Sequence, residues 1–114
     1  MKRKSFREME CPIAQTLEVV GEWWTPLILR EVLIRDRTKF DEIQNALGIA
    51  PTVLANRLST LVSHGLLERR RYTHSPERFE YVSTASARDF RPVLDELARW
   101  GEKWTPSSGQ GSPN

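Results

Sequence analysis

The sequence predicts a mainly α fold with a small β-hairpin wing, a winged helix-turn-helix with further helices at its N- and C-terminal ends. Three observations predict it. Leu54, Leu58 and Leu61 recur at i, i+4 and i+7, the spacing of one inward helix face. A shorter helical pattern precedes them, with Phe40, Ile43, Ala46 and Leu47 inward, and Gly48 supplies the tight turn between the two. Two alternating runs, residues 66–72 and 78–83, flank a turn-rich Thr73-His74-Ser75-Pro76-Glu77 and read as a hairpin.

Each element has a local reason. Residues 1–10 are polar and read as a flexible basic arm, in which Lys2, Arg3, Lys4 and Arg7 either touch phosphate or are simply solvated. A first helix starts near Pro12 or Ile13, carries Ile13, Leu17 and Val20 on one side, and ends at Gly21. A second opens at Trp23-Trp24-Thr25-Pro26, with Thr25 as N-cap and Pro26 at the first position. Leu27, Ile28, Val32 and Leu33 make it central to the fold, and Arg35-Asp36-Arg37 is a charged turn. Thr38 answered by Asp41 fits a capping box for the third helix. Ile49 plugs the angle before the fourth, which begins at Pro51, where no backbone N–H is needed. Gly65 ends that helix, and Leu66 folds back on Leu61 or Val62 in a Schellman stop.

After the wing, Thr84 is the expected N-cap of the last helix. Phe90, Leu94, Leu97, Gly101 and Trp104 alternate steps of four and three, Val93 and Trp100 widen the stripe, and Pro92 marks either a start or a bend. Such a stripe serves an intramolecular core or a partner chain. Its two tryptophans favour the partner, so Ile13, Leu17, Phe90, Leu94, Leu97, Trp100 and Trp104 are assigned to a homodimer interface. Residues 105–114, rich in Ser, Gly and Pro, read as a disordered tail. The ordered domain is thus 11–104, with the helix-turn-helix and wing at 38–83.

At 114 residues the chain holds one domain, and a net charge of +2 excludes a protein coated in positive charge. The distribution matters more. From Arg57 to Arg78 there are five arginines against Glu68 and Glu77, a local excess of three that suits a nucleic-acid-binding module. The basic N-terminus is followed by no apolar targeting segment, and no run approaches the ~18 apolar residues of a membrane span. The single cysteine, Cys11, has no internal disulfide partner. A cytoplasmic protein with no membrane partner is expected.

Separated motifs then carry a resemblance. Cys11-Pro12-Ile13-Ala14, Trp24-Thr25 and Leu27-Ile28-Leu29-Arg30-Glu31 are followed by Phe40-Asp41-Glu42-Ile43 and Leu54-Ala55-Asn56-Arg57-Leu58. Gly65-Leu66-Leu67-Glu68-Arg69 and Trp100-Gly101 complete the set. In order and spacing this resembles the HxlR-type bacterial transcriptional regulators, winged-helix proteins related to the MarR group, over roughly residues 8 to 104. The resemblance implies a homodimeric, sequence-specific regulator of double-stranded DNA, with dimer contacts from the first and last helices. This chain departs from the family pattern at three places: Ala50 replaces a capping Ser, Trp23 replaces a Lys, and Thr84-Ala85-Ser86-Ala87 replaces Thr-Pro-x-Gly.

A helix in the major groove presents its N-terminal residues to the bases, while charged groups hold phosphates and set orientation. Pro51, Thr52 and Asn56 are therefore the base-contact candidates, Asn56 being able to bridge adenine N6 and N7. Thr52, Asn56, Ser59 and Ser63 share the outward face. Lys39, Arg57, Arg69, Arg71, His74 and Arg78 are the phosphate and wing candidates. Arg57 serves either as a phosphate clamp or in an internal salt bridge, and a strand's alternation keeps Arg69, Arg70 and Arg71 from all facing DNA. Two copies would bind an inverted repeat with helices about one DNA turn, ~34 Å, apart; repression would follow from excluding polymerase, and the sequence does not separate this from activation.

Cys11 has two readings, a small half-buried residue at a helix start, or a redox or electrophile sensor. Some relatives of this type respond to oxidants through a cysteine at this place, and a helix N-terminus favours the thiolate. A small electrophile or other effector is then a partner.

One cysteine with His64 and His74 makes no recognisable catalytic or metal constellation, and no phosphate loop is present, so no enzyme activity, metal or cofactor is expected. The competing class is a winged-helix protein-interaction module that reads no DNA. Retention of Arg69, Arg70, Arg71 and Arg78 argues against it.

Overall fold

A computed structural model describes residues 10–106. The arm expected at the N-terminus (save Glu10) and the tail expected at the C-terminus (save Thr105 and Pro106) lie outside the described residues. The elements run α1 (Pro12–Val20), α2 (Trp24–Leu33), α3 (Phe40–Leu47), α4 (Pro51–Ser63), β1 (Leu67–His74), β2 (Glu77–Ser83), α5 (Ala85–Asp89) and α6 (Arg91–Trp104).

The centre is α2. Ile28, Leu29 and Val32 from α2 meet Ile43, Ile49, Leu54, Leu58 and Leu61, all buried in one cluster. Complete burial of each Leu or Ile side chain contributes about 1.5–3 kcal/mol, so this cluster dominates the packing energy. Ala46 departs from the expected inward face and is exposed, leaving Ile43 as the fully buried residue of α3.

Gly48, at φ 66°, closes α3 in the left-handed region and turns the chain into Ile49, which is 3% exposed and fills the angle as expected. At the end of α4 the Schellman stop forms fully. Gly65 takes φ 79°, its amide donates to Val62 O at 3.0 Å, and the Leu66 amide donates to Leu61 O at 2.9 Å.

The helix starts differ from the sequence expectation because acids capture them. α2 begins at Trp24, one residue before the expected cap Thr25. Glu22 Oε1 accepts from the Trp24 and Thr25 amides at 3.0 and 3.2 Å and from Thr25 Oγ1 at 3.2 Å. At α3 the capping carboxylate is Glu42 rather than Asp41, accepting from the Thr38 and Lys39 amides at 3.2 Å each. Thr84 stands at the cap position of α5, yet its hydroxyl donates to Gly65 O at 2.6 Å and Leu66 O at 3.0 Å, pinning the base of the wing to the end of α4. The last helix is two pieces, with α6 starting at Arg91 and Pro92 in its first turn, where a missing N–H costs nothing.

The wing is an antiparallel hairpin whose strands reach to His74 and Glu77, leaving only Ser75 and Pro76 in the turn, joined by a cis peptide. Leu67, Arg69 and Arg71 pair with Ser83, Tyr81 and Phe79, and a register shift at Tyr72 breaks the alternation before Thr73. A third strand position, absent from the sequence reading, lies ahead of α3: Lys39 bridges Glu80, the Tyr81 amide donates to Thr38 O at 2.8 Å, and Thr38 Oγ1 donates to Glu80 Oε1 at 3.1 Å. It locks the wing to the helix-turn-helix.

The most buried charge among the described residues belongs to α2. Glu31 is fully buried and meets three arginines, with Arg37 Nη1 at 2.5 Å, Arg30 Nη2 at 2.9 Å and Arg35 Nη1 at 3.1 Å. Its position was a usable signal, since it falls at i+4 from Leu27 and i+3 from Ile28 on the apolar side of α2 and is flanked by arginines.

Candidate nucleic-acid interface

The outward face of α4 is built by exclusion. With Leu54, Leu58 and Leu61 turned into the core, Pro51, Thr52, Asn56, Ser59 and Ser63 are left exposed along the other side. Ala50 occupies the N-cap position with extended backbone (ψ 139°) and has no side-chain oxygen to cap with. The first-turn amides of α4, from Thr52 on, therefore have no side-chain cap.

Arg57 lies beside an acid from the α1–α2 junction. Its Nε lies 2.8 Å from Glu22 Oε1, an ion pair by distance although the N–H is not aimed at the oxygen, and its Nη1 donates to Asn56 Oδ1 at 3.0 Å. In this conformation the guanidinium is hydrogen-bonded through Nη1 alone, while its Nε pairs with Glu22 by charge and proximity. Glu22, at the α1–α2 junction, is thus a residue of the site that sequence reasoning missed.

The wing's cations divide by environment. Arg69 is stacked over the Phe79 ring, 3.9 Å from its centroid, and Lys39 Nζ sits 4.9 Å over Tyr72. Together with Phe40 and Tyr81 these rings line an open groove between the start of α3 and the hairpin. Arg71 Nη1 is 2.6 Å from Glu77, and Arg70 pairs with Glu68 at 3.1 Å. His74 and Arg78 are exposed near the tip, and among the described residues Arg78 has no ion-pair partner. An exposed ion pair contributes about 0–1 kcal/mol and an exposed cation–π contact about 0.5–1 kcal/mol. Neither contact holds Arg71 or Arg69 strongly.

The proposed interface stripe splits in two. Leu94, 7% exposed, is buried in the chain's own core, and Phe90 packs half-buried against it, so these two correct the assignment to a partner surface. Ile13 (72% exposed), Leu17, Leu97, Trp100 and Trp104 (64%) remain outside. Cys11 is an exposed free thiol at the N-cap of α1, one turn before Gln15, whose amide donates to the Cys11 carbonyl at 2.9 Å.

A family profile described as HxlR-like helix-turn-helix matches residues 19–109. The chain belongs to the HxlR-like helix-turn-helix family. An uncharacterised HTH-type transcriptional regulator of Mycobacterium tuberculosis (Rv3095) is 40% identical over 94 residues, covering 82% of this chain and 59% of the relative. The HxlR-like chain thus spans about three-fifths of that relative's length. A solved Pseudomonas aeruginosa structure, the candidate transcription factor PA1374, superposes with a TM-score of 0.66 at 45% identity, covering 91% of this chain and 70% of that one. The redox regulator HypR in its oxidised form superposes at 0.74 with 28% identity, covering 84% of this chain and 99% of that one. The fold is the HxlR-like winged helix-turn-helix, shared with the candidate transcription factor PA1374. Among the described residues, no helix is long and apolar enough to cross a membrane.

Proposed function

We propose that the protein regulates transcription by binding an inverted-repeat operator as a homodimer, acting as a repressor that excludes polymerase. The observation that carries this reading is the exposed Pro51, Thr52 and Asn56 edge of α4 beside a wing whose tip presents His74 and Arg78. In this reading Thr52 and Asn56 meet base edges, and Lys39, Arg69, Arg71, His74 and Arg78 serve phosphates. The exposed apolar residues Ile13, Leu17, Leu97, Trp100 and Trp104 pair the two copies. The ordered domain of 11–104 is the unit that does both jobs.

Duplex binding measured by fluorescence anisotropy across a salt series tests the proposal. Affinity that falls steeply with salt is expected, because each neutralised phosphate releases counterions. Absence of salt-sensitive affinity for any duplex, with the thiol reduced or oxidised, overturns it and leaves the protein-interaction module as the alternative.

Regulation through Cys11 is a second part of the reading, supported by its exposure at the start of the helix that carries Ile13 and Leu17. HypR, a redox regulator, shares the fold at this identity. Oxidation or an electrophile's adduct there would shift α1 against the paired chain and reposition the reading helices. Cys11→Ser is expected to abolish any thiol-agent response in a gel shift, and a response that survives rules the sensor out.

A further inference from the structure

Glu22 lies outside the DNA-reading helix and still touches it. Three hydrogen bonds to its Oε1, from the Trp24 and Thr25 amides and the Thr25 hydroxyl, fix it at the start of α2. The same oxygen is 2.8 Å from Arg57 Nε, and Arg57 Nη1 reaches Asn56 Oδ1 at 3.0 Å. Carboxylate, guanidinium and amide form one line that leads from the α1–α2 junction to the exposed edge of α4.

We propose that Glu22 is a positioning residue that decides which base Asn56 reads, guanine in place of adenine. The inference rests on the reading of α4 as the base-contacting helix. An unencumbered asparagine pairs with adenine by accepting from N6 through Oδ1 and donating to N7 through Nδ2. Here Oδ1 already accepts from a cation, and that contact fixes the amide's orientation, because only its oxygen accepts from a guanidinium. A positive donor beside the oxygen opposes the N6 amino group of adenine. Guanine presents O6 and N7, two acceptors, which suit the free Nδ2 donors of Asn56 and the neighbouring guanidinium.

Glu22 is needed because arginine has other outlets. On a duplex, the Arg57 guanidinium would be drawn to the nearest phosphate, leaving Asn56 free to take adenine. The Glu22 carboxylate competes for it, and both side chains of the pair are only 30% exposed, which limits screening by salt.

Selection of bound duplexes from a random pool, run for the wild type and three variants, tests this. Asn56→Ala identifies the position concerned as the one whose preference it erases. Glu22→Gln retains Oε1 to accept from Trp24 and Thr25 and removes only the charge that holds Arg57, while Arg57→Ala removes the relay at its middle. The wild type is expected to select guanine at that position of each half-site. Both relay variants are expected to lose the preference by roughly tenfold, the discrimination of one good base contact, with other positions unchanged. Adenine in the wild type, or guanine retained by Glu22→Gln, overturns the role of Glu22. A wild-type pool with no enriched sequence brings down the DNA-reading proposal itself, and is thereby distinguished from failure of the relay alone.

Discussion

Arg37 Nη1 lies 2.5 Å from Glu31 Oε1, joining the turn after α2 to a carboxylate that has no exposed surface. Arg30 and Arg35 reach the other oxygen, so a single acid holds the last turn of α2 and the segment that leads into the helix-turn-helix. The Arg37 amide adds a bond to the Glu31 carbonyl at 2.9 Å. A buried charge is costly by itself, and this one is tolerated because its oxygens are saturated by cationic donors.

Stability should depend on pH through this residue. Burial raises the Glu31 carboxyl pKa, but hydrogen bonds from Arg37 and Arg30 and the charges of Arg30 and Arg35 outweigh it, and the net shift is downward. A carboxylate whose folded pKa is depressed contributes stability that is present above its unfolded value and is lost as pH falls through the folded value. Urea unfolding should therefore show a loss that begins below about pH 4.5 and is missing in Glu31→Gln. Glu31→Ala should cost about 3 kcal/mol at neutral pH, the low end for a broken buried pair, because the three guanidiniums reach solvent.

Ala50→Ser should stabilise the protein. The position has the extended backbone of an N-cap and lacks only the oxygen, so the gain expected is ~1 kcal/mol, read as a higher urea midpoint with unchanged slope. Gly65→Ala should act in the opposite sense. Nothing crowds the site, so its cost is the left-handed backbone alone, about 1–2 kcal/mol.

Reading and gripping should separate by mutation. Asn56→Ala is expected to relax preference at one position of each half-site, a loss of ~1–3 kcal/mol on the specific site. Arg78→Ala should weaken all duplexes alike and lower the salt slope by about one. Equal effects of both changes on specific and random DNA would contradict this division.

Two residues of one helix should behave differently. Leu94→Ala removes a core side chain and should cost about 2–5 kcal/mol in unfolding. Trp100→Ala removes an exposed ring, so a dimer that dissociates at higher concentration is expected in sedimentation, with the protomer still folded. A Trp100→Ala protein that unfolds like Leu94→Ala would place that ring in the chain's own core.

What the sequence determined by itself is whatever is settled within one turn of the chain. The Leu54, Leu58 and Leu61 face, the left-handed stops at Gly48 and Gly65, and the outward row from Thr52 to Ser63 follow from helical period and backbone sterics, which neighbouring residues fix. The likeness to the HxlR-type regulators was legible for the same reason, being a string of short local motifs. Only the tertiary structure decided the pairings. Arg57 turns to Glu22, Thr84 to the end of α4, Glu80 to Thr38, and Leu94 inward while Leu97 stays out, because these depend on which helices approach and at what angle. A charged side chain takes whichever partner the packed helices bring within reach, and sequence separation does not record that distance.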